Sequence, residues 1–358
     1  MTREVRYGII GTGMMGLEHI ENISVIDGAV VTAVSDPDAN SRRKGKHAAG
    51  ISDDAAFANH PELLASGLVD AVVLSSPNHT HATILHDIIA SGLHFLVEKP
   101  LCTTVEDAQS VVEAARGYAG VDWMGLEYRY KPPIAQLIRE VSGGTVGRVR
   151  MVSIREHRFP FLPKIGDWNR FNRNTGGTLV EKCCHFFDLM NLITGSRPVR
   201  VFASGSQDVN HLDESYDGER PDILDNAFVI VDFADGARGL LDLCMFSEGS
   251  KNEQEISVVG DLAKVEAFVP ENFIRMSYRN GTDSEEVQVH DGRITYAGLH
   301  GGASFLEHLD FLDAIRNGTP PQVTLEEGLL SVAVGVAAHM SIDEQRPVLM
   351  SEILEAGV

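Results

Sequence analysis

Cysteine and tryptophan are scarce in this chain, at four and two of 358 residues. Cysteines so few and so scattered (Cys102, Cys183, Cys184, Cys244) exclude a disulfide framework. Basic residues are outnumbered, 30 against 51 acidic ones, for a net charge of −21. Such a molecule repels phosphate backbones and anionic membrane surfaces, so neither a nucleic-acid nor a membrane partner is expected. No uninterrupted apolar run approaches the ~18 to 20 residues that cross a bilayer. The opening MTREVRYGII enters a strand-like run without the apolar stretch of a signal peptide, which makes the reducing cytoplasm the expected compartment. Internal repeats and low-complexity tracts are also missing. What is present is an ordinary globular composition, 43% hydrophobic and 23% charged, in a chain long enough for two domains at roughly 150 residues each.

Residues 5 to 125 alternate short apolar runs (VRYGII, AVVTAVSD, VDAVVLSSP, LHFLVEKP, VDWMGLE) with segments of helical period. Strands separated by helix-length segments pair in parallel through right-handed crossovers, and both sheet faces are then covered. After about residue 145 the stretches lengthen and several alternate polar with apolar residues, joined by turn dipeptides such as Asp235-Gly236 and Gly260-Asp261. That pattern predicts an antiparallel sheet with one wet face. Helices are predicted over 177–193, 302–316 and 325–342. The expected fold class is α/β: an N-terminal Rossmann-type domain over 1–125, then an α+β domain over 126–358 with a large, open, mostly antiparallel sheet. The final helices are free to pack back on the first domain.

Gly11-Thr12-Gly13-Met14-Met15-Gly16 is a G-x-G-x-x-G sequence between a strand and a helix. Gly11 permits the tight turn, Gly13 lets the backbone approach a diphosphate, and Gly16 brings the helix close to the strand. Free N–H groups at the helix start then hold the anion. Asp36 ends the next strand, 20 residues beyond Gly16, where a carboxylate accepts from ribose hydroxyls and repels a 2′-phosphate. This favours NAD, while the neighbouring Arg42 and Arg43 leave NADP open.

Beyond this fingerprint the order of segments is distinctive. Pro77-Asn78-His79-Thr80-His81 is followed by Glu98-Lys99-Pro100, then Glu127-Tyr128-Arg129-Tyr130-Lys131-Pro132, then Gly176-Gly177 through His185 to Asp188. In this order the chain resembles, over essentially its whole length, the glucose-fructose oxidoreductase, inositol dehydrogenase and MocA-like (Gfo/Idh/MocA) family. The resemblance implies that Pro77, Asn78 and His81 lie beside the cofactor and that E-K-P supplies a lysine at the nicotinamide. The cofactor set expected on these grounds is Gly11 to Gly16, Asp36, Ser75, Pro77, Asn78, His81, Glu98, Lys99, Pro100 and Glu127. It further implies a second-domain motif with Glu181, His185 and Asp188 on one helix, where offsets of four and three give them one face. Two positions depart from the pattern: Glu181 stands where many members carry Asp, and Glu127 where many carry an amide or apolar residue.

The implied activity is hydride transfer between a nicotinamide and a secondary hydroxyl of a sugar, sugar derivative or cyclitol. Lys99, His185 and Glu181 are the expected catalytic residues. Lys99, Tyr128, Trp168, Asp188, His185 and His300 are the expected substrate contacts. The loop FPFLPKIGDWNRFNRNTGG, with Trp168, Asn169, Arg170, Asn172 and Asn174, offers an apolar face and hydrogen-bonding groups suited to a polar ring, against the alternative of an ordinary packed loop. Arg155 and His157 are weaker candidates. The acidic run 208–222 reads as solvated surface, with a lid or subunit contact as the lesser reading. Cys183 and Cys184 beside Glu181 and His185 invite a zinc site, but adjacent helical side chains point about 100° apart, so no metal is expected. The resemblance also implies homodimers or homotetramers through an exposed sheet face, for which Phe228 and Ile230, or Leu241 and Leu243, are the candidate stripe. Three alternatives use the same fold: an NAD-dependent glycoside hydrolase, a reductase of an imine or biliverdin-like acceptor, against whose apolar pocket the asparagine-rich loop argues, and a non-catalytic NAD-sensing regulator.

Overall fold

A computed structural model describes residues 4–354. They form two compact units: the described residues up to Tyr130 with Gly292–Leu329, and Lys131–Asp291 with the described residues from Leu330 onward.

In the first unit β1 (Val5–Ile10), α1 (Met14–Ser24), β2 (Ala29–Ser35), α2 (Ala39–Ala49), β3 (Ala56–Phe57), α3 (His60–Ala65), β4 (Ala71–Leu74), α4 (His81–Ser91), β5 (His94–Glu98), α5 (Val105–Ala114) and β6 (Asp122–Gly125) alternate. The six strands pair in parallel in the order β3-β2-β1-β4-β5-β6. Ile9, Ala33, Val72, Val73, Leu96 and Val97 are wholly buried, as in a sheet covered on both faces. The strand order reverses between β1 and β4, the place where open α/β sheets bind ligands beyond the strand ends.

The second unit carries α6 (Pro132–Ser142), β7 (Val149–His157), α7 (Asn172–Thr175), α8 (Thr178–Glu181) and α9 (Cys184–Thr194). It continues with β8 (Pro198–Ser206), β9 (Asn226–Phe233), β10 (Arg238–Cys244), β11 (Gln254–Gly260), β12 (Ala263–Val269), β13 (Phe273–Tyr278) and β14 (Ser284–Gln288). With a later two-residue strand, Val348–Leu349, these make a nine-stranded sheet in which only β7 and β10 pair in parallel. One face packs on α6 and α9 and buries Ala227, Val229, Val231, Leu241, Leu243, Ile256 and Val258. The other exposes Met151, Phe202, Phe228, Ile230 and Leu240. The open apolar stripe is therefore Phe228 with Ile230. Leu241 and Leu243 point inward, because alternate residues of a strand face opposite sides.

Two helices predicted for the tail are present as α10 (Ala303–Asn317) and α11 (Leu325–Glu344). The division at 125/126 placed residues 292–329 in the second domain, whereas they belong to the first unit. They are tied there by Met124 N–H donating to Val323 O at 3.1 Å, by the Arg129–Glu327 ion pair at 2.9 Å, and by His308 on His19 at 2.8 Å. By length and composition α11 could cross a bilayer, with a mean hydropathy of 1.3, but 61% of that stretch is buried in protein. A core helix reads the same way.

Candidate active site

The glycine fingerprint folds into a cradle. Gly11 takes φ +90°, and a Cβ there would lie 2.7 Å from the Ser76 nitrogen. A Cβ on Gly16 would lie 2.0 Å from Gly11 O. Both positions are glycine for the protein's own packing. A Cβ on Gly13 would meet nothing within 4 Å, so its backbone faces open space that a ligand can enter. Helix α1 starts there with no side-chain cap and no acidic residue in its first turn, which leaves its leading N–H groups for an anion.

Asp36, buried at the end of β2, accepts from Thr12 N–H at 2.8 Å through one oxygen and from Asp38 N–H at 2.8 Å through the other. The first oxygen also accepts from Thr12 Oγ1 at 3.2 Å, and the second keeps a lone pair for a ribose hydroxyl. The nearby arginines are engaged: Arg42 donates to Asp36 O at 2.5 Å and Arg43 to Asn40 Oδ1 at 2.8 Å. Ser75 donates to Gly11 O at 2.8 Å, closing the turn from the β4 side. These residues fit a dinucleotide with a free 2′-hydroxyl.

His81 is fully buried, with Nδ1 2.9 Å from Pro100 O and Nε2 3.0 Å from Ser76 O. Burial pulls its pKa down and keeps it neutral, so only one of the two nitrogens donates at a time. Its ring ties the loop after β4 to the E-K-P turn, whose Lys99–Pro100 peptide is cis. Asn78 is buried in the same loop.

Around Lys99 the first unit gathers charged groups that lie far apart in the chain and share no motif. Glu98 accepts from His19 Nε2 at 3.0 Å and from Lys99 N–H at 3.1 Å. Burial opposes its ionisation, but the bond to His19 and the nearby Lys99 and His300 overcome it and hold its pKa at about 2. His19 also meets His308 at 2.8 Å, and burial keeps His308 neutral. Glu127, from the turn after β6, is buried and has its pKa raised, first by that burial and then by the Glu98 charge, with His300 and Lys99 opposing. Glu307 on α10 is pushed up further, by burial, Glu127 and Glu98, and accepts from Trp123 Nε1 at 3.4 Å. Tyr128 is buried in the turn that carries Glu127.

In the second unit the expected single helix is broken. Glu181 ends α8, Lys182 and Cys183 form a tight turn, and His185 and Asp188 lie in the first two turns of α9. The break coincides with the buried Lys182, whose ammonium pairs with the wholly buried Glu156 at 2.9 Å. Glu181, His185 and Asp188 are all buried. His339 accepts from Leu179 N–H at 3.1 Å, and burial lowers its pKa to about 4 so that it stays a neutral acceptor.

The amides of the polar loop are engaged by backbone carbonyls of the protein. Asn169 donates to Leu162 O, Asn172 to Asp222 O and Asn174 to Trp168 O, at 2.9 to 3.0 Å. Trp168 is half-buried in the same loop. The acidic run is not simple solvated surface: Glu214 takes Arg170 at 2.8 Å, His211 at 2.9 Å and Tyr216 at 2.8 Å, and Asp225 accepts from the N–H groups of residues 208 to 210. Arg155 and His157 pair with Glu255 and Asp242 on the open sheet face, opposite to Glu156. Among the described residues no group of three or more His, Cys, Asp or Glu is arranged to hold a metal ion.

His19, Glu18, Glu307 and His308 were missed by the sequence reading. The available signal was polar residues (Glu18, His19, Asn22) buried on α1 directly after the glycine fingerprint, where an apolar stripe belongs.

Residues 5–125 match the family model described as oxidoreductase family, NAD-binding Rossmann fold, and residues 138–350 match that of the oxidoreductase family C-terminal alpha/beta domain. A myo-inositol 2-dehydrogenase from Thermotoga maritima is 29% identical over 353 residues, 98% of this chain and all of that protein. A crystal structure of a probable dehydrogenase from Thermotoga maritima superposes with a TM-score of 0.78 at 27% identity, covering 98% of this chain and 100% of that one. A levoglucosan dehydrogenase in complex with NADH and levoglucosan shares the fold, with a TM-score of 0.85 at 18% identity over 97% of this chain and 100% of its own. The N-terminal domain is thus an NAD-binding Rossmann domain.

Proposed function

The chain belongs to the Gfo/Idh/MocA oxidoreductase family, and from that premise we propose that it oxidises a secondary hydroxyl of a cyclitol or sugar with NAD. The observation that carries this reading is the open, NAD-compatible cradle with Lys99 at the end of β5 of the same sheet, and the second unit contributes the buried Glu181, His185, Asp188 segment. The full-length likeness to a myo-inositol 2-dehydrogenase supports the substrate class. Gly11 to Gly16 and α1 would hold the diphosphate and Asp36 the ribose, and bound NAD supplies the hydride acceptor.

The chain's own work is to bind, orient and move a proton. His185 takes the hydroxyl proton, an imidazole being suited to that task near neutrality. Lys99 stabilises the developing alkoxide. Glu181 orients the base or the substrate, Asp188 accepts from a further hydroxyl, and Tyr128, Trp168 and His300 are further substrate contacts in this reading. Pro77, Asn78, Pro100 and Glu127 shape the cofactor side. The four cysteines and the acidic surface suit the reducing cytoplasm. The exposed stripe of Phe202, Phe228, Ile230 and Leu240 suits a homodimer or homotetramer. Sedimentation velocity reads that assembly directly, and a monomer at assay concentration overturns it.

Absorbance at 340 nm with NAD, and separately NADP, across inositols, aldoses, anhydrosugars and glycosides tests the activity. Reduction of NAD by an inositol or sugar is expected. Lys99→Ala and His185→Asn should each lower kcat about 100-fold or more while leaving NAD affinity near its original value. Near-normal turnover in both variants removes the assignment.

A further inference from the structure

Oxidation of an alcohol to a carbonyl by NAD releases one proton for each hydride transferred, and that proton has to reach water. In the first unit a chain of titratable groups runs from the surroundings of Lys99 outward. Glu127 is buried, and its carboxyl feels the charges of both Lys99 and Glu98. Its Oε1 lies 3.9 Å from His300 Nε2. His300 Nδ1 faces both oxygens of Glu18, at 3.0 and 2.9 Å, and 24% of the His300 side chain meets solvent.

The loop is shaped for this contact. Leu299 N–H also donates to Glu18 Oε1, at 2.9 Å, and Gly298 takes φ +54° with space for a Cβ only 2.9 Å from that same oxygen. Any side chain at Gly298 would press on the carboxylate that holds His300. Glu18 itself is almost wholly buried on α1, 282 positions away in the chain. A buried carboxylate on one imidazole nitrogen fixes the tautomer and supports the cation that forms when the other nitrogen takes a proton.

We propose that Glu127 and His300, with Glu18 as positioning residue, form the proton exit of the dehydrogenase. One proton moves and nothing is oxidised or reduced in these steps. Neutral His300 donates its Nδ1–H to Glu18 and offers the Nε2 lone pair. The Glu127 carboxyl passes its proton through one water to Nε2, which lies beyond direct hydrogen-bond reach, the imidazolium is held by Glu18, and Nε2–H is released to solvent. Glu127 is then free to take a proton from the Lys99 ammonium, and the proton that His185 has taken from the hydroxyl restores that ammonium. Burial and the Glu98 charge favour the protonated form of Glu127, as a carrier that hands a proton to an imidazole requires. The charged groups facing this route are Glu18 on α1, Glu98 and Lys99 at the end of β5, and Glu307 on α10.

The proposal rests on the dehydrogenase reading, so its test has two arms. In the first, kcat of His300→Asn is followed against imidazole concentration at fixed pH and ionic strength. The relay predicts a loss of about tenfold or more in dilute buffer and a saturating recovery with imidazole, absent in the original enzyme. A buffer-independent loss, or no loss, overturns it. The second arm needs no turnover: imidazole NMR titration of His300, assigned by its disappearance in His300→Asn. Glu18→Gln should lower the His300 pKa, and Glu127→Gln should shift it by a smaller amount. A His300 titration indifferent to both changes overturns the relay even if NAD is reduced. Failure of the original enzyme to reduce NAD with any polyol counts against the dehydrogenase reading alone, and the titration then decides whether the three groups form one proton-coupled chain.

Discussion

Two ends of one parallel sheet are built on different principles. At the β1–β2 end the site is backbone: glycines with no room for a Cβ, uncapped N–H groups, and one carboxylate held by two main-chain donors. At the β5–β6 end it is side chains: Glu98, His19, His308, Glu127, His300 and Glu18 in contact or in close electrostatic reach. A backbone site fails by crowding, since main-chain amides carry no charge that a substitution can remove. A side-chain site fails by losing one partner, because a charge taken out of water has only its neighbours to stabilise it.

The sharpest break should come at the charged end. His19→Leu leaves Glu98 buried without its imidazole, and urea unfolding should show a loss of roughly 3–5 kcal/mol. A smaller loss than that of the glycine variant would reverse the contrast. At the cradle, Gly16→Ala puts a methyl against Gly11 O and should cost roughly 1–3 kcal/mol in the same assay. It should also abolish calorimetrically detected NAD binding, which His19→Leu should largely preserve.

A smaller effect tests the one carboxylate of the cradle. Asp36→Asn removes the charge that repels a 2′-phosphate, and the ratio of NADP to NAD affinity should rise about tenfold, or ~1.4 kcal/mol. An unchanged ratio would mean that Arg42 and Arg43 set cofactor choice. The smallest expected effect concerns Glu307, whose pKa is raised in the fold. Between its unfolded and folded values the native state binds more protons than the unfolded chain, so its contribution to stability falls as pH rises through that window. Glu307→Gln should therefore match the original protein at acid pH and exceed it at neutral pH. A constant difference across pH would place the effect in packing.

Legibility followed sequence separation. The fingerprint Gly11 to Gly16 and Asp36 could be read because strand, turn, helix and second strand are consecutive and each residue type answers a local need. E-K-P could be read as a motif, but not the environment that gives Glu98 its low pKa. The helical offsets of Glu181, His185 and Asp188 suggested one continuous face, and the turn at Lys182 and Cys183 interrupts it. The asparagines of the loop before α8 looked like substrate donors by composition, yet their donors are taken up by nearby carbonyls. An amide's chemistry is visible in a sequence, and its partner is not.

By itself the sequence determined the element types, the parallel pairing of the first sheet, the wet-faced second sheet and the glycine cradle. These depend on periodicity and backbone freedom, which are properties of neighbouring residues. Tertiary structure alone decided that residues 292–329 join the first unit, and that Glu18 meets His300 across 282 positions and His19 meets His308 across 289. It alone decided which carboxyls have their pKa raised, Glu127 and Glu307, and which has it lowered, Glu98. Burial and charge act through space, and a linear pattern carries no record of which distant segment will supply the low-dielectric wall or the opposing charge.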